Sequence, residues 1–183
     1  MSIKCSVYIA ASIDGFIAKP GGDIEWLNRP EYATSKLKGV SYEDFIATVD
    51  VLIMGRNTFE KVLSFDHWPY EELLVVVLTS RNVDIPEHLH DKVKIESGEP
   101  DAILSRLASQ NYSHFYIDGG ITIQRFFTAK RIDEITITWI PILLGDGIPL
   151  FGIHDTEQQL QLIEAIPSDN GFVQVRYSVQ HMA

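Results

Sequence analysis

The sequence has little cysteine, no long apolar run and no excess of positive charge. Its one cysteine, Cys5, excludes an intramolecular disulfide and a cysteine-based metal site, so we expect it to fill the core. The longest aliphatic run, residues 73–78, is far too short to span a bilayer. With 15 basic and 25 acidic residues, the net charge of -10 disfavours nucleic acid and anionic membranes as partners. We therefore expect a cytoplasmic protein that binds a small molecule.

Several familiar catalytic and nucleotide-binding motifs are also missing. No strand is followed by glycines spaced G-x-G-x-x-G, and the sequence has no Walker phosphate loop. No local pattern pairs a serine or cysteine nucleophile with a base, and the histidines form no metal-binding cluster. Hydride transfer needs none of these motifs, because a cofactor carries that chemistry.

The sequence does contain an alternation of strand and helix patterns, which we interpret as one domain spanning residues 1–183. Such alternation predicts an α/β fold, a three-layer αβα sandwich around a mostly parallel sheet. The long segment 11–40 between the first strand and the first helix predicts a lid or binding loop. Alternation at 135–140, followed by two strand-like runs that flank Asn170-Gly171, predicts that an antiparallel C-terminal hairpin closes the sheet.

Two predicted strands end on glycine directly before a helix. One runs into Gly55-Arg56-Asn57-Thr58, and the other runs through Asp118 into Gly119-Gly120. Such corners let the backbone approach a ligand and present helix amides to phosphate groups. Each corner taken alone is equally compatible with a helix cap or a tight turn, and Asp118 with capping. Because both fall at the same predicted sheet edge, we favour a nucleotide site.

A third polar corner follows the predicted strand at 73–78. Thr79-Ser80-Arg81 is either a simple turn or a set of hydroxyls and a guanidinium suited to a ribose phosphate. Gly145 and Gly147 lie in a turn that we interpret either as the rim of a pocket or as a plain loop.

These corners, in this order, resemble the dihydrofolate reductase superfamily, most closely its branch with the C-terminal reductase domain of the bifunctional riboflavin-biosynthesis deaminase-reductase. Residues 12–18 and 22–26 resemble the loop after the first strand of that branch, and 54–60 its cofactor-phosphate corner. Residues 118–121 match its paired-glycine turn, and Pro141 with 145–151 its substrate-side loop. The resemblance covers nearly the whole chain and implies a dihydrofolate reductase-like fold.

The resemblance implies NADPH as cofactor and a homodimer as the assembly. The implied cofactor-binding residues are Ala11, Gly15, Ile17, Gly55, Arg56, Asn57, Thr58, Thr79, Ser80, Arg81, Gly98, Asp118, Gly119, Gly120, Ile121 and Thr122. The implied substrate-binding residues are Trp26, Phe45, Thr138, Gly145 and Gly147.

The function implied by the resemblance is NADPH-dependent reduction of a small heterocyclic or phosphosugar-bearing compound. It would resemble 5-amino-6-(5-phosphoribosylamino)uracil reductase and dihydrofolate reductase. The sequence does not assign the catalytic proton donor, for which Glu31 and Asp14 are weak candidates, and it shows no array of arginines for a ribose phosphate. The alternative is a non-catalytic nucleotide-binding homodimer that retains the fold.

Overall fold

An eight-stranded mixed sheet forms the centre of the computed structural model, which describes residues 2–34, 36–153 and 157–181. The strands of the chain are β1 (Lys4–Ser12), β2 (Phe16–Ala18), β3 (Val51–Gly55), β4 (Leu74–Leu78), β5 (Val93–Glu96), β6 (His114–Asp118), β7 (Glu134–Ile140), β8 (Ile148–Pro149), β9 (Leu160–Pro167) and β10 (Val173–Val179). The order across the large sheet is β5-β4-β3-β6-β1-β7-β10-β9, while β2 and β8 form a separate small pair.

The strand pairings confirm the predicted mostly parallel sheet. All neighbours from β5 to β7 are parallel, and β9 and β10 form the antiparallel hairpin that the Asn170-Gly171 pattern predicts. β7 pairs in parallel with β1 and antiparallel with β10, so it is the junction between the two parts of the sheet.

Helices cover both faces of the sheet, as the three-layer prediction requires. They are α1 (Tyr42–Ile46), α2 (Arg56–Leu63), α3 (Pro100–Ala108) and α4 (Gly120–Thr128). On one face, α1 and α2 bury Phe45 and Phe59; on the other, α3 and α4 bury Leu107 and Phe126. Strands between two helical layers have no solvent-facing side, which explains why β4 is a continuous aliphatic run.

The long segment 11–40 is more regular than the sequence predicts. It contains β2, which pairs with β8, and short 3-10 turns at Pro20–Gly22, Glu25–Leu27 and Pro30–Thr34. Trp26 is only 2% exposed and ties the segment to the body of the protein. The first helix begins where predicted, because the Ser41 hydroxyl accepts a hydrogen bond from the Asp44 amide at 3.1 Å.

Three further features of the structure concern Cys5, the length of the helices and metal-binding side chains. Cys5 is buried in the core, and this burial raises the pKa of its thiol well above the ordinary value. Within the described residues, no helix has the length and apolar character needed to cross a bilayer. Those residues also contain no cluster of acidic, histidine and cysteine side chains that could hold a metal ion.

Candidate cofactor and substrate site

Two helix N-termini meet at the carboxyl edge of the central strands. β3 and β6 are parallel neighbours whose ends lie in register, with Met54 opposite Asp118. α2 starts directly after Gly55 and α4 directly after Gly119, and neither N-cap has a side chain that satisfies the first amides. The free amides and positive dipole ends of two helices therefore lie side by side, an arrangement that attracts a pyrophosphate.

The glycines at this edge are required by close packing as well as by backbone conformation. Gly119 has φ 90° and ψ 139°, and a Cβ added there would collide with the Thr58 hydroxyl. A Cβ on Gly55 would lie 2.9 Å from the Thr122 hydroxyl. Each helix start thus packs directly against the strand end of the other, and larger residues at either glycine would push the two helix starts apart.

The corner after β4 supplies a cation at the same edge. Arg81 is exposed and forms no ion pair with any residue that the structure describes. The Thr79 hydroxyl accepts from the Arg81 amide at 3.0 Å and donates to the Arg81 carbonyl at 3.2 Å, so it shapes the turn. Arg56 is less available, because its Nε donates to Glu60 at 2.7 Å. Arg81 is therefore the guanidinium best placed for a second phosphate.

Two arginines that the sequence analysis did not single out hold the loop after β5. Arg106 Nη2 donates to the Ser97 carbonyl at 2.7 Å, and Arg125 Nη2 donates to the Gly98 carbonyl at 2.8 Å. These long-range contacts fix Gly98 at the border of the predicted adenosine site. No local pattern around Arg106 or Arg125 reveals them.

Residues from the first loop lie across from the start of α4. The Gly15 carbonyl accepts from the Leu150 amide at 2.9 Å, and a Cβ on Gly120 would lie 3.4 Å from the Ile17 side chain. Ala11, at the end of β1, is fully buried. The loop therefore packs against the paired glycines, so the implied cofactor residues Gly15 and Ile17 lie beside Gly120.

Ile121 is the predicted cofactor residue whose side chain points elsewhere. It is 68% exposed and faces an open groove of about 370 Å³ on the outer surface of α4. Gln124, Arg125 and Ile153 also line this groove, which contains none of the glycine corners. Because Arg125 also holds the Gly98 carbonyl, this groove adjoins another predicted cofactor residue, and the cofactor role of Ile121 stays a prediction.

Asp118 is the one acid at the end of the central strand β6. The Gly119 amide donates to its Oδ1 at 2.8 Å, so the carboxyl group holds this amide in place. The residue is partly buried, and desolvation raises the pKa of its carboxyl to about 6 despite that hydrogen bond. A carboxyl group that is still about half protonated near pH 6 can serve as an acid, a property that depends on burial and is not visible in the sequence.

Aromatic side chains converge around Asp118 and form what we call the aromatic wall. Its members are Tyr8, Tyr42, Phe45, Trp68, Tyr70 and Tyr116. The Tyr8 and Phe45 rings stack with centroids 4.9 Å apart, and Trp68 meets Tyr70 edge-on at 5.1 Å. Burial first, and then the Asp118 charge, raise the pKa values of Tyr42, Tyr70 and Tyr116, so both parts of the wall lie near this carboxyl.

The predicted substrate residues fall into a buried group and a loop group. Trp26, Phe45 and Thr138 are all more than 90% buried, and Phe45 belongs to the aromatic wall. The Trp26 indole nitrogen is buried without a hydrogen-bond partner among the described residues. In the loop group, a Cβ on Gly147 would collide with the Ala18 carbonyl, and Gly145 donates its amide to Asp14 at 2.8 Å.

The two weak candidates for the proton donor are both occupied elsewhere. Asp14 accepts hydrogen bonds from the Ser12 hydroxyl at 2.5 Å and from the Leu144 amide at 3.1 Å, in addition to Gly145. The Ser12 bond chiefly lowers the pKa of Asp14, which makes it a weak proton donor. Glu31 is exposed and lies 3.8 Å from Arg29. Asp118 has the more suitable environment.

Known proteins with similar sequences and structures match nearly the whole chain. The sequence model of the RibD C-terminal domain family matches residues 4–174. YwjB, an uncharacterised protein of Bacillus subtilis, is 37% identical over 166 residues, covering 88% of this chain and 90% of YwjB. A crystal structure from Shewanella sp. PV-4, provisionally described as a riboflavin biosynthesis protein, has a TM-score of 0.87 and 36% identity over 98% of this chain and 100% of that chain.

The fold is also similar to that of a dihydrofolate reductase. The Enterococcus faecalis enzyme in complex with NADP(H) has a TM-score of 0.64 and covers 97% of each chain. Its sequence is only 19% identical, so the similarity concerns the fold alone. The predicted dihydrofolate reductase-like architecture is thereby confirmed.

Proposed function

Because the chain belongs to the RibD C-terminal domain family, we propose that it is an NADPH-dependent reductase acting by hydride transfer on a small heterocyclic compound. The observation that carries the proposal is the pair of uncapped helix N-termini at Gly55 and Gly119. Their amides point from neighbouring strand ends, and the two corners pack so closely that a Cβ at Gly119 would collide with the Thr58 hydroxyl. The positive ends of these two helices match the negative charge of a pyrophosphate.

Different groups of the protein would bind the different parts of NADPH. The amides at the starts of α2 and α4 would accept the pyrophosphate, and Arg81 would pair with the adenosine 2′-phosphate. Ile17 and the backbone of Gly120 would support the nicotinamide end, where the bound cofactor would supply the hydride. The segment that carries Trp26 would cover this end and exclude water.

Reduction of a ring double bond also needs a proton, and we assign it to Asp118. The Gly119 amide occupies Oδ1, so the proton would lie on Oδ2 and face the aromatic wall. Desolvation keeps the pKa of the group near 6, close to the range in which a general acid is both protonated and able to transfer its proton. This assignment replaces Glu31 and Asp14, the weak candidates from the sequence.

A crystal structure of the protein soaked with NADPH tests the proposal. We expect pyrophosphate oxygens within about 3 Å of amides at the starts of α2 and α4, and the 2′-phosphate beside Arg81. Gly119→Ala is the matched variant, because its methyl group would collide with the Thr58 hydroxyl and push the start of α2 away from that of α4, and we expect it to lose the cofactor density. Density for NADPH at another place, or none in crystals grown from a saturated solution, would contradict the proposal.

A further inference from the structure

We propose, building on the reductase function above, that the substrate is an uncharged planar ring compound that carries neither a phosphate group nor a carboxylate tail. The basis is a juxtaposition: six aromatic side chains and one carboxyl group converge at the end of β6 with no cation among them. Both substrates of the enzymes that the sequence resembles carry anionic groups, so this protein would differ from both.

The charged groups that act most strongly on the tyrosines of the aromatic wall are all acidic. Arg176 lies two strands from Tyr8 on the same face of the sheet, but it pairs with Glu134 and Glu164. The groups that act electrostatically on Tyr8, Tyr42, Tyr70 and Tyr116 are Glu43, Asp44, Asp118 and other tyrosines. No lysine or arginine lowers the pKa of Asp118. All 15 basic residues of the chain lie in the ranges that the structure describes, so none is missing from this comparison. A dianionic phosphate placed against the aromatic wall would be repelled by these carboxylates.

The basic residues nearest in sequence to the wall are engaged or exposed. In the segment before α1, Lys38 pairs with Asp169 at 2.8 Å, and Arg29 lies 3.8 Å from Glu31. Lys36 is exposed on the same segment. On α2, Arg56 pairs with Glu60 at 2.7 Å. The bidentate arginine clamps that usually hold phosphate or carboxylate groups are therefore absent from the described surroundings of the wall.

The groups that remain suit a neutral ring with one donor and one acceptor edge. Tyr8, Tyr42 and Trp68 are the partly exposed members of the wall, and aromatic surfaces of this kind favour a planar ligand. Asp118 Oδ2 can accept from a ring N–H or amino group, and Asp118 can donate when protonated. The Trp68 indole nitrogen is buried and has no partner among the described residues, and a buried donor of this kind is normally satisfied. A ring carbonyl would satisfy it.

Two matched ligand pairs test this substrate class by calorimetric titration at about pH 7.5. One pair is 6-methyl-7,8-dihydropterin and 7,8-dihydrofolate; the other is 5-amino-6-(ribosylamino)uracil and its 5′-phosphate. Each titration is run with and without saturating NADP⁺, so that failure of cofactor binding is seen separately and counts against the reductase function. We expect the uncharged member of each pair to bind at least about tenfold more tightly, a difference of about 1.4 kcal/mol. Equal or tighter binding of either anionic member, or no binding of any of the four ligands, would overturn the inference.

Three variants distinguish a specific site from general electrostatics. Asp118→Asn removes the nearest negative charge. It should therefore reduce the preference for the dephosphorylated over the phosphorylated ligand by at least about threefold. Asp91→Asn removes an exposed acid before β5 and should leave the ratio unchanged. Trp68→Phe should weaken binding of the uncharged ligand about two- to tenfold and leave the affinity for NADP⁺ unchanged, because it removes the indole donor but no group of the cofactor site. If Lys36→Ala weakened the phosphorylated ligand selectively, the absence of a cation would be disproved.

Discussion

Replacing Asp118 with asparagine should change the pH dependence of NADPH oxidation. The substitution keeps the size of the side chain and an oxygen for the Gly119 amide, but it removes the group that can transfer a proton. Every other polar contact at the end of β6 is expected to persist. A change in the pH profile would therefore report on proton transfer and not on collapse of the site.

The size of the effect follows from the pKa of Asp118, about 6. The protonated fraction falls from about 0.9 at pH 5 to about 0.1 at pH 7, so the chemical step should slow about tenfold over that interval. Loss of a general acid typically costs about 10²–10⁴-fold in rate. Asp118→Asn should lose a factor in this range at about pH 5 and show a flat profile from pH 5 to about pH 8.

Single-turnover oxidation of bound NADPH, followed by nicotinamide absorbance, measures the chemical step without product release. Asp14→Asn is the informative comparison, because Asp14 is the sequence-based candidate that the structure assigns to the 144–145 loop. It should keep the wild-type slope. If Asp118→Asn retained the slope and Asp14→Asn lost it, the assignment of the proton donor would be wrong.

Three further predictions concern stability and cofactor selectivity. The pKa of Asp118 is raised from 3.8 to about 6 in the folded state, so its stabilising neutral form is fully present below about pH 4 and is lost as the pH rises through 6. In urea titrations at about pH 8, the free energy of unfolding of Asp118→Asn should therefore exceed that of wild type, by at most about 3 kcal/mol because the group keeps some solvent contact. This difference should shrink towards pH 4, and a difference independent of pH would contradict the raised pKa. Arg81→Ala should weaken NADPH about 10- to 100-fold in equilibrium titrations and leave NADH nearly unchanged, since one charge-assisted bond contributes about 1.5–3 kcal/mol. Lys94→Ala, an exposed cation on the edge strand β5, is its control, and equal losses for both cofactors would refute the role of Arg81. Gly119→Ala should lower the free energy of unfolding by about 1–3 kcal/mol from backbone strain alone, plus the cost of displacing the Thr58 hydroxyl. Gly21 also has a positive φ of 82° but has open space around it, so Gly21→Ala is the control. An equal loss in both variants would show that the clash with Thr58 is unimportant.

The cofactor edge could be predicted from sequence because its signals are local. A buried strand that ends on glycine before a helix fixes both the backbone corner and its place at the carboxyl edge, and β3 and β6 follow that rule. Local signals do not predict which neighbours a side chain contacts when distant parts of the fold determine those contacts. Ile121 shares a motif with Gly119 but faces outward, and the Thr79 hydroxyl serves its own turn.

The substrate side was not predictable to the same extent because it depends on long-range packing. Tyr8, Tyr42 and Tyr70 come from three distant parts of the chain, and nothing around each of them indicates that they meet at Asp118. The raised pKa of Asp118 likewise results from burial by those neighbours. The predicted homodimer concerns surfaces between chains, so it stays a prediction.

Titration of the purified protein with NADPH and with NADH, followed by nicotinamide fluorescence, tests the central claim most directly. The claim is that the two helix N-termini and Arg81 form one NADPH site. We expect saturable binding of NADPH, at least about tenfold tighter than that of NADH because only NADPH carries the 2′-phosphate that Arg81 would pair with. Equal affinities would contradict the role of Arg81, and the absence of saturable binding of either cofactor would contradict the proposed function itself.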